Sequence, residues 1–84
     1  MKEYIVKIEV TLRPVVLDPQ GKTVLNALKS LEFENISDAR VGKLIELKAQ
    51  SESEDSLKND VDEMCKKLLA NPVIENYSIN ISEL

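Results

Sequence analysis

The chain has 84 residues, 11 basic and 15 acidic side chains, a formal net charge of −4, one cysteine and no histidine. Without histidine there is no imidazole metal site, Ser-His-Asp triad or Cys-His pair, and the lone Cys65 excludes intrachain disulfides and multi-cysteine zinc sites. The acidic balance, with no basic stripe, argues against nucleic acid as a partner.

This length makes one domain, 1–84, which buries only about 60–65 % of its unfolded surface, so oligomerisation is the expected supplement to a marginal core. No apolar run approaches the roughly 20 residues of a membrane span. Charged residues punctuate positions 1–20, leaving no signal-peptide core. The expected partners therefore include no membrane, and the expected address is the cytoplasm.

Residues 4–12 alternate. Tyr4, Val6, Ile8, Val10 and Leu12 share one face, and Glu3, Lys7, Glu9 and Thr11 the other, as in a half-buried strand that ends at Arg13-Pro14. Asp18-Pro19 reads as an N-cap followed by proline at the first helical position. Val24, Leu25, Ala27, Leu28 and Leu31 follow at helical spacing, predicting a helix over 19–31. Residues 36–49 form a second extended run, with Ala39, Val41, Ile45, Leu47 and Ala49 on one face. A hairpin at Gly42-Lys43 would place Ala39 and Val41 on the face of Glu46 and Lys48, so one continuous strand fits better.

The next helix spans 51–70, capped by Ser51 or Ser53, with Leu57, Val61, Met64, Cys65 and Leu68 as its apolar stripe. Acidic residues crowd its start and lysines its end, as the helix dipole prefers. Asn71-Pro72 stops it, and a last strand over 73–82 carries Tyr77, Ile79 and Ile81 on one face. The order is β-α-β-α-β, an α+β fold with a three-stranded sheet and two helices on one face. A 13-residue second strand would span roughly 43 Å, too long to pair within so small a domain. Half of it is expected to pair with a second copy, and helix 51–70 with strand 73–82 are candidates for exchange between subunits.

Several features invite a chemical reading. Gly21-Lys22-Thr23 ends like a phosphate-binding loop, but the first glycine of that motif would fall at Val16, and Pro19 removes an N–H donor. A capped helix start explains the tripeptide better. Cys65 sits on the apolar stripe and reads as structural. Among the acidic residues from Glu52 to Glu63, Glu54, Asp62 and Glu63 have lysines at i+4, and the run reads as a solvated helix face. Arg13, Arg40 and Lys43 suit either a strand end at the surface or an interface. Val15, Val16 and Leu17 are loop residues that a solitary domain would avoid exposing.

The stretches "VKIEVTLRPVVLDPQGKTVLNALKSL", "FENISDARVGKLIELK" and "LLANPVIENYSI" resemble the PurS family, the small subunit of phosphoribosylformylglycinamidine synthase. The combination of "LDPQGKTV" with "RVGK" carries most of the likeness. Glu32 departs from it, standing where the family usually has glycine at the helix end, so it must either adopt positive φ or end the helix differently. The resemblance implies a non-catalytic subunit acting in the fourth step of purine synthesis, with no cofactor of its own. In the complex, ATP and Mg would be used by a large synthetase subunit, and a glutaminase subunit would release ammonia. It also implies a homodimer or homotetramer. On this reading Arg13, Pro14, Asp18, Gln20, Gly21, Arg40, Gly42 and Lys43 are the expected partner contacts. The reading from another class is a free-standing dimeric module that senses a small molecule.

Overall fold

The computed structural model describes residues 1–84. Strand β1 (Lys2–Leu12) leads to helix α1 (Pro19–Ser30), strand β2 (Gly42–Ser51), helix α2 (Glu54–Met64) and strand β3 (Glu75–Glu83), and a single π-helical turn (Cys65–Leu69) extends α2. The sheet order is β2-β1-β3, antiparallel throughout. The α+β class and the element order therefore follow the sequence pattern.

Strand β1 takes the centre because its even-numbered side chains from Tyr4 to Leu12 are apolar or aromatic. Tyr4, Val6, Ile8 and Val10 are buried, and α2 lays Leu57, Val61 and Cys65 against them. Ile45, Leu47, Ile79 and Ile81 of the flanking strands pack around this line half-buried. Burying each large aliphatic side chain contributes about 1.5–3 kcal/mol. Eight residues make up the whole buried core, so the fold is held by few contacts.

Of the two serines proposed as caps, Ser53 fills the role and Ser51 does not. The Ser53 hydroxyl accepts the Ser56 N–H (3.1 Å) as the N-cap of α2, and Ser51, closing β2, donates its hydroxyl to the Ser53 carbonyl (3.0 Å). At the other end, the Ala70 N–H reaches back five residues to the Cys65 carbonyl (3.0 Å). The extra residue in that turn rotates the following side chains by about 100°. Leu68, expected on the apolar stripe, is consequently exposed, and Leu69 packs against the core instead.

Two further expectations are corrected. The second strand begins at Gly42, not at residue 36, and all ten of its residues pair with β1 from Gly42 opposite Thr11 to Ser51 opposite Lys2. Beyond Thr11, β1 runs into Pro14 and offers no ladder, while the Val41 N–H is taken by the Asp18 carboxylate. The argument for a second copy from strand length therefore lapses, and α2 and β3 pack on their own chain's β1. Second, α1 adds nothing to the core. Gly21 is its only buried residue, and Val24, Leu31 and the nearby Phe33 are exposed.

The molecule is correspondingly extended. Its radius of gyration is 16.4 Å, against about 12 Å for a compact chain of this length. It exposes 6263 Å², against about 5,000 Å² for a compact monomer of 9.5 kDa.

Candidate partner-binding site

The eight residues expected to contact partners gather at one end of the sheet, where β1 leaves it, α1 starts and β2 enters. Their roles differ. Asp18 is buried, and its two carboxylate oxygens tie two distant segments together. Oδ1 accepts the Gly21 N–H (2.9 Å), capping α1, and Oδ2 accepts the Val41 N–H (2.9 Å), 23 residues further on. The Val41 and Gly21 N–H groups, helped by the nearby Arg40 charge, hold the carboxyl below the ordinary carboxylate range, although burial opposes them.

Arg40 serves as the second brace. Its Nη2 donates to the carbonyls of Arg13 (2.9 Å), Leu12 (3.3 Å) and Val16 (3.4 Å), and its Nε lies 3.9 Å from Asp18 Oδ2. This one guanidinium shapes the whole 13–17 loop. Arg13 works in the opposite direction, its guanidinium donating to the Pro72 carbonyl and its backbone N–H to Ile74 (2.8 Å).

Both glycines are required by close approach. A Cβ on Gly21 would lie 2.3 Å from the Ala39 carbonyl oxygen, and one on Gly42 would lie 2.4 Å from that of Val10. Five of the eight residues (Arg13, Asp18, Gly21, Arg40 and Gly42) are thus committed to holding the segments together. Pro14, Gln20 and Lys43 remain on the surface, free to meet something else.

Of the depressions around the clamp, two present its candidate contact residues. One, of about 350 Å³, lies between the loop and α1 and is lined by Pro14, Val15, Leu17, Lys22 and Arg40. The other, of about 270 Å³, is lined by Gln20, Val41, Lys43 and Glu75. Above them Val15 is 94 % exposed and Leu17 71 %, so the loop projects apolar side chains from a braced backbone. The sequence pattern flagged that loop and the Asp18 cap. It gave no sign of the Ala39 and Val41 backbone groups, because a side-chain bond across 23 residues leaves no local trace.

No reacting group stands nearby. Cys65 is fully buried, and burial, followed by the Asp62 charge, pushes its thiol up, so it stays protonated. The other polar cluster is structural: Tyr77 donates to Asp62 Oδ1 (2.6 Å), and Lys66 lies 2.9 Å from Asp62 Oδ2, joining α2 to β3. No group of three or more Cys, Asp or Glu side chains could hold a metal ion, and no helix is long and apolar enough to cross a membrane. The geometry suits recognition, with a rigid polar frame presenting apolar and cationic side chains.

Comparison with known proteins agrees with that reading. The family model of PurS, phosphoribosylformylglycinamidine (FGAM) synthase, matches residues 5–83. The FGAM synthase subunit PurS of Bacillus subtilis is 46 % identical over 81 residues, covering 96 % of this chain and 95 % of its own. The crystal structure of PurS from Methanocaldococcus jannaschii, one of the subunits of formylglycinamide ribonucleotide amidotransferase, is 40 % identical. It superimposes with a TM-score of 0.86 over 96 % of this chain and 98 % of its own. A chain in the structure of PurLQS from Thermotoga maritima, 32 % identical, matches with a TM-score of 0.88 over the full length of both. The chain belongs to the PurS family.

Proposed function

We propose that this chain is a non-catalytic assembly subunit of FGAM synthase in purine biosynthesis. It docks a PurL-type synthetase and a PurQ-type glutaminase against each other so that ammonia passes between them without escaping. The observation that carries this is the full-length match to a chain of PurLQS. The chain's own chemistry is consistent with it: there is no histidine, its one thiol is buried, and it has no metal cluster. ATP and Mg would be used by the synthetase, and the complex would work in the cytoplasm. Docking would matter because free ammonia takes up a proton near neutral pH and ceases to be a nucleophile.

The chain acts in this reading as a homo-oligomer. About 1,200 Å² of surface beyond a compact monomer's share, with Val24, Leu31 and Phe33 among the exposed apolar residues, needs covering. The partner-facing positions narrow to Pro14, Gln20 and Lys43, with the apolar Val15 and Leu17, while Arg13, Asp18, Gly21, Arg40 and Gly42 support them. Arg40→Glu is therefore a poor probe of docking, since it would dismantle the loop, whereas Lys43→Glu changes only an exposed charge.

Mixing the chain with purified PurL-type and PurQ-type subunits should give one co-eluting species, and Lys43→Glu should weaken it while the isolated chain keeps its fold. A chain that elutes alone would contradict the reading. A stabilisation of several degrees by one metabolite with no partner present would instead favour a free-standing sensor.

A further inference from the structure

The core draws on only part of the chain. Its buried apolar side chains, and the half-buried ones packed against them, come from residues 4–10 and 45–81, and none comes from 13–41. That segment is tied to itself instead. The Asp18 carboxylate accepts the N–H groups of Gly21 (2.9 Å) and Val41 (2.9 Å), so its start is joined to its end. The first turn of α1 lies so close to Ala39 that a Cβ on Gly21 would meet the Ala39 carbonyl oxygen.

Its ties to the sheet are few. Thr11 and Gly42 face each other at the end of the β1–β2 ladder, so the chain leaves and re-enters the sheet side by side. Beyond the turn bond from the Val16 N–H to the Arg13 carbonyl (2.9 Å), a single group binds residues 14–41 back to the end of β1. That group is Arg40 Nη2, shared among the carbonyls of Arg13 (2.9 Å), Leu12 (3.3 Å) and, within the segment, Val16 (3.4 Å). The joint is also loosely filled. A depression of about 390 Å³ opens between Thr11, Leu12 and Asn76 on the sheet and Asp38 and Arg40 on the segment. Another, of about 270 Å³, opens between Lys43 and Glu75 on the sheet and Gln20 and Val41. Close packing is what makes an interior resist deformation, and this joint lacks it.

We propose that residues 14–41 form a stiff arm that swings on the crossings at Arg13 and Gly42, with Arg40 as the latch that holds it against the end of the sheet. Bending two adjacent strand ends requires φ and ψ to change at only a few terminal residues, which is how hinges are built. The arm carries the exposed Val15, Leu17, Val24 and Leu31, and a swing reorients all four together. The hinge is a property of the fold and goes beyond the assembly reading. On that reading, it lets a subunit seated on the arm shift against one seated on the sheet.

The test places spin labels on the full chain at Lys29→Cys on the arm and Lys58→Cys on α2, both exposed. Cys65 is buried and stays unlabelled. The labelled chain is diluted into unlabelled chain, so that only distances within one chain are read, and amide exchange is followed alongside. No partner subunit is present, so the outcome is independent of the assembly reading. The parent should give one narrow distance distribution. Arg40→Gln should widen it at least about twofold as the hinge residues take up new φ and ψ. The Gly21, Val41 and α1 amides should meanwhile exchange within about threefold of their parent rates, because the arm stays folded. An unchanged distribution, or a parent already as broad as the variant, would overturn the latch. Widening accompanied by fast exchange throughout α1 would mean that the segment melts rather than swings, and would overturn the arm.

Discussion

Helix α2 presses Leu57, Val61 and Cys65 onto the central strand, whereas α1, equally amphipathic in sequence, buries only Gly21. The first is held by apolar burial along its length. The second is held by a polar clamp at its start, in which Asp18 and Arg40 gather backbone groups from three segments, while Val24 and the C-cap Leu31 are exposed and Leu25 and Leu28 only half-buried. An amphipathic pattern thus states that a helix has a face to cover, and not whether its own chain covers it. On the proposed assembly role, the uncovered helix is the one to associate with other subunits.

Substitutions can break this contrast at either helix. The largest effect on folding is expected at Leu57, 3 % exposed in the core. Leu57→Ala should lose about 2–4 kcal/mol, lowering the melting temperature by roughly 10–20 °C. A loss under about 1 kcal/mol would mean that α2 is not the anchor described.

Asp18→Asn should act more locally, speeding amide exchange in α1 and around Val41 while the exchange of β1 core amides stays nearly unchanged. Acid should do the same to the parent chain. The Asp18 carboxyl is held low in the folded state, so its contribution is complete above the unfolded value near pH 4 and fades as pH falls through the lower folded value. Asp62 is also held low, first by the Tyr77 hydrogen bond and then by Lys66, and its link from α2 to Tyr77 on β3 loosens in the same direction. The α1 share of the acid response should vanish in Asp18→Asn, and its persistence would place the clamp elsewhere.

A smaller change, and a gain, is expected at Glu32. Its φ of 71° closes α1 in a Schellman arrangement, with the Phe33 N–H bonded to the Leu28 carbonyl (3.0 Å) and the Glu32 N–H to Lys29 (3.0 Å). Glu32→Gly should stabilise by about 0.5–1 kcal/mol, as relief of the left-handed strain outweighs the added freedom of the unfolded chain. A lower urea midpoint would contradict this. The smallest folding effect is expected at Leu31, 67 % exposed at the C-cap of α1. Leu31→Ser should move stability by no more than about 0.5 kcal/mol yet weaken association, read by light scattering and co-elution. A loss as large as that at Leu57 would erase the distinction between the helices.

Much of this was legible in the sequence. Near-perfect alternation in residues 4–12 located β1 and its buried face, and Asp18-Pro19 located the start of α1 to the residue. Positions decided by contacts far along the chain were not legible. Nothing local to Val41 shows that its N–H goes to Asp18, so apolar alternation carried the second strand six residues too far. A π turn at Cys65–Leu69 exchanges the roles of Leu68 and Leu69 through one extra backbone residue, which a helical period cannot register. That the exposed Arg40 also braces the 13–17 loop depends on carbonyls 24 to 28 residues away, which leave no local trace.

The central claim is tested most directly by product formation from purified PurL-type and PurQ-type subunits, with and without this chain, using glutamine or added ammonia as the nitrogen source. The account predicts that glutamine supports turnover only when the chain is present, while ammonia supports it either way. Glutamine-dependent turnover that is the same with and without the chain would contradict it.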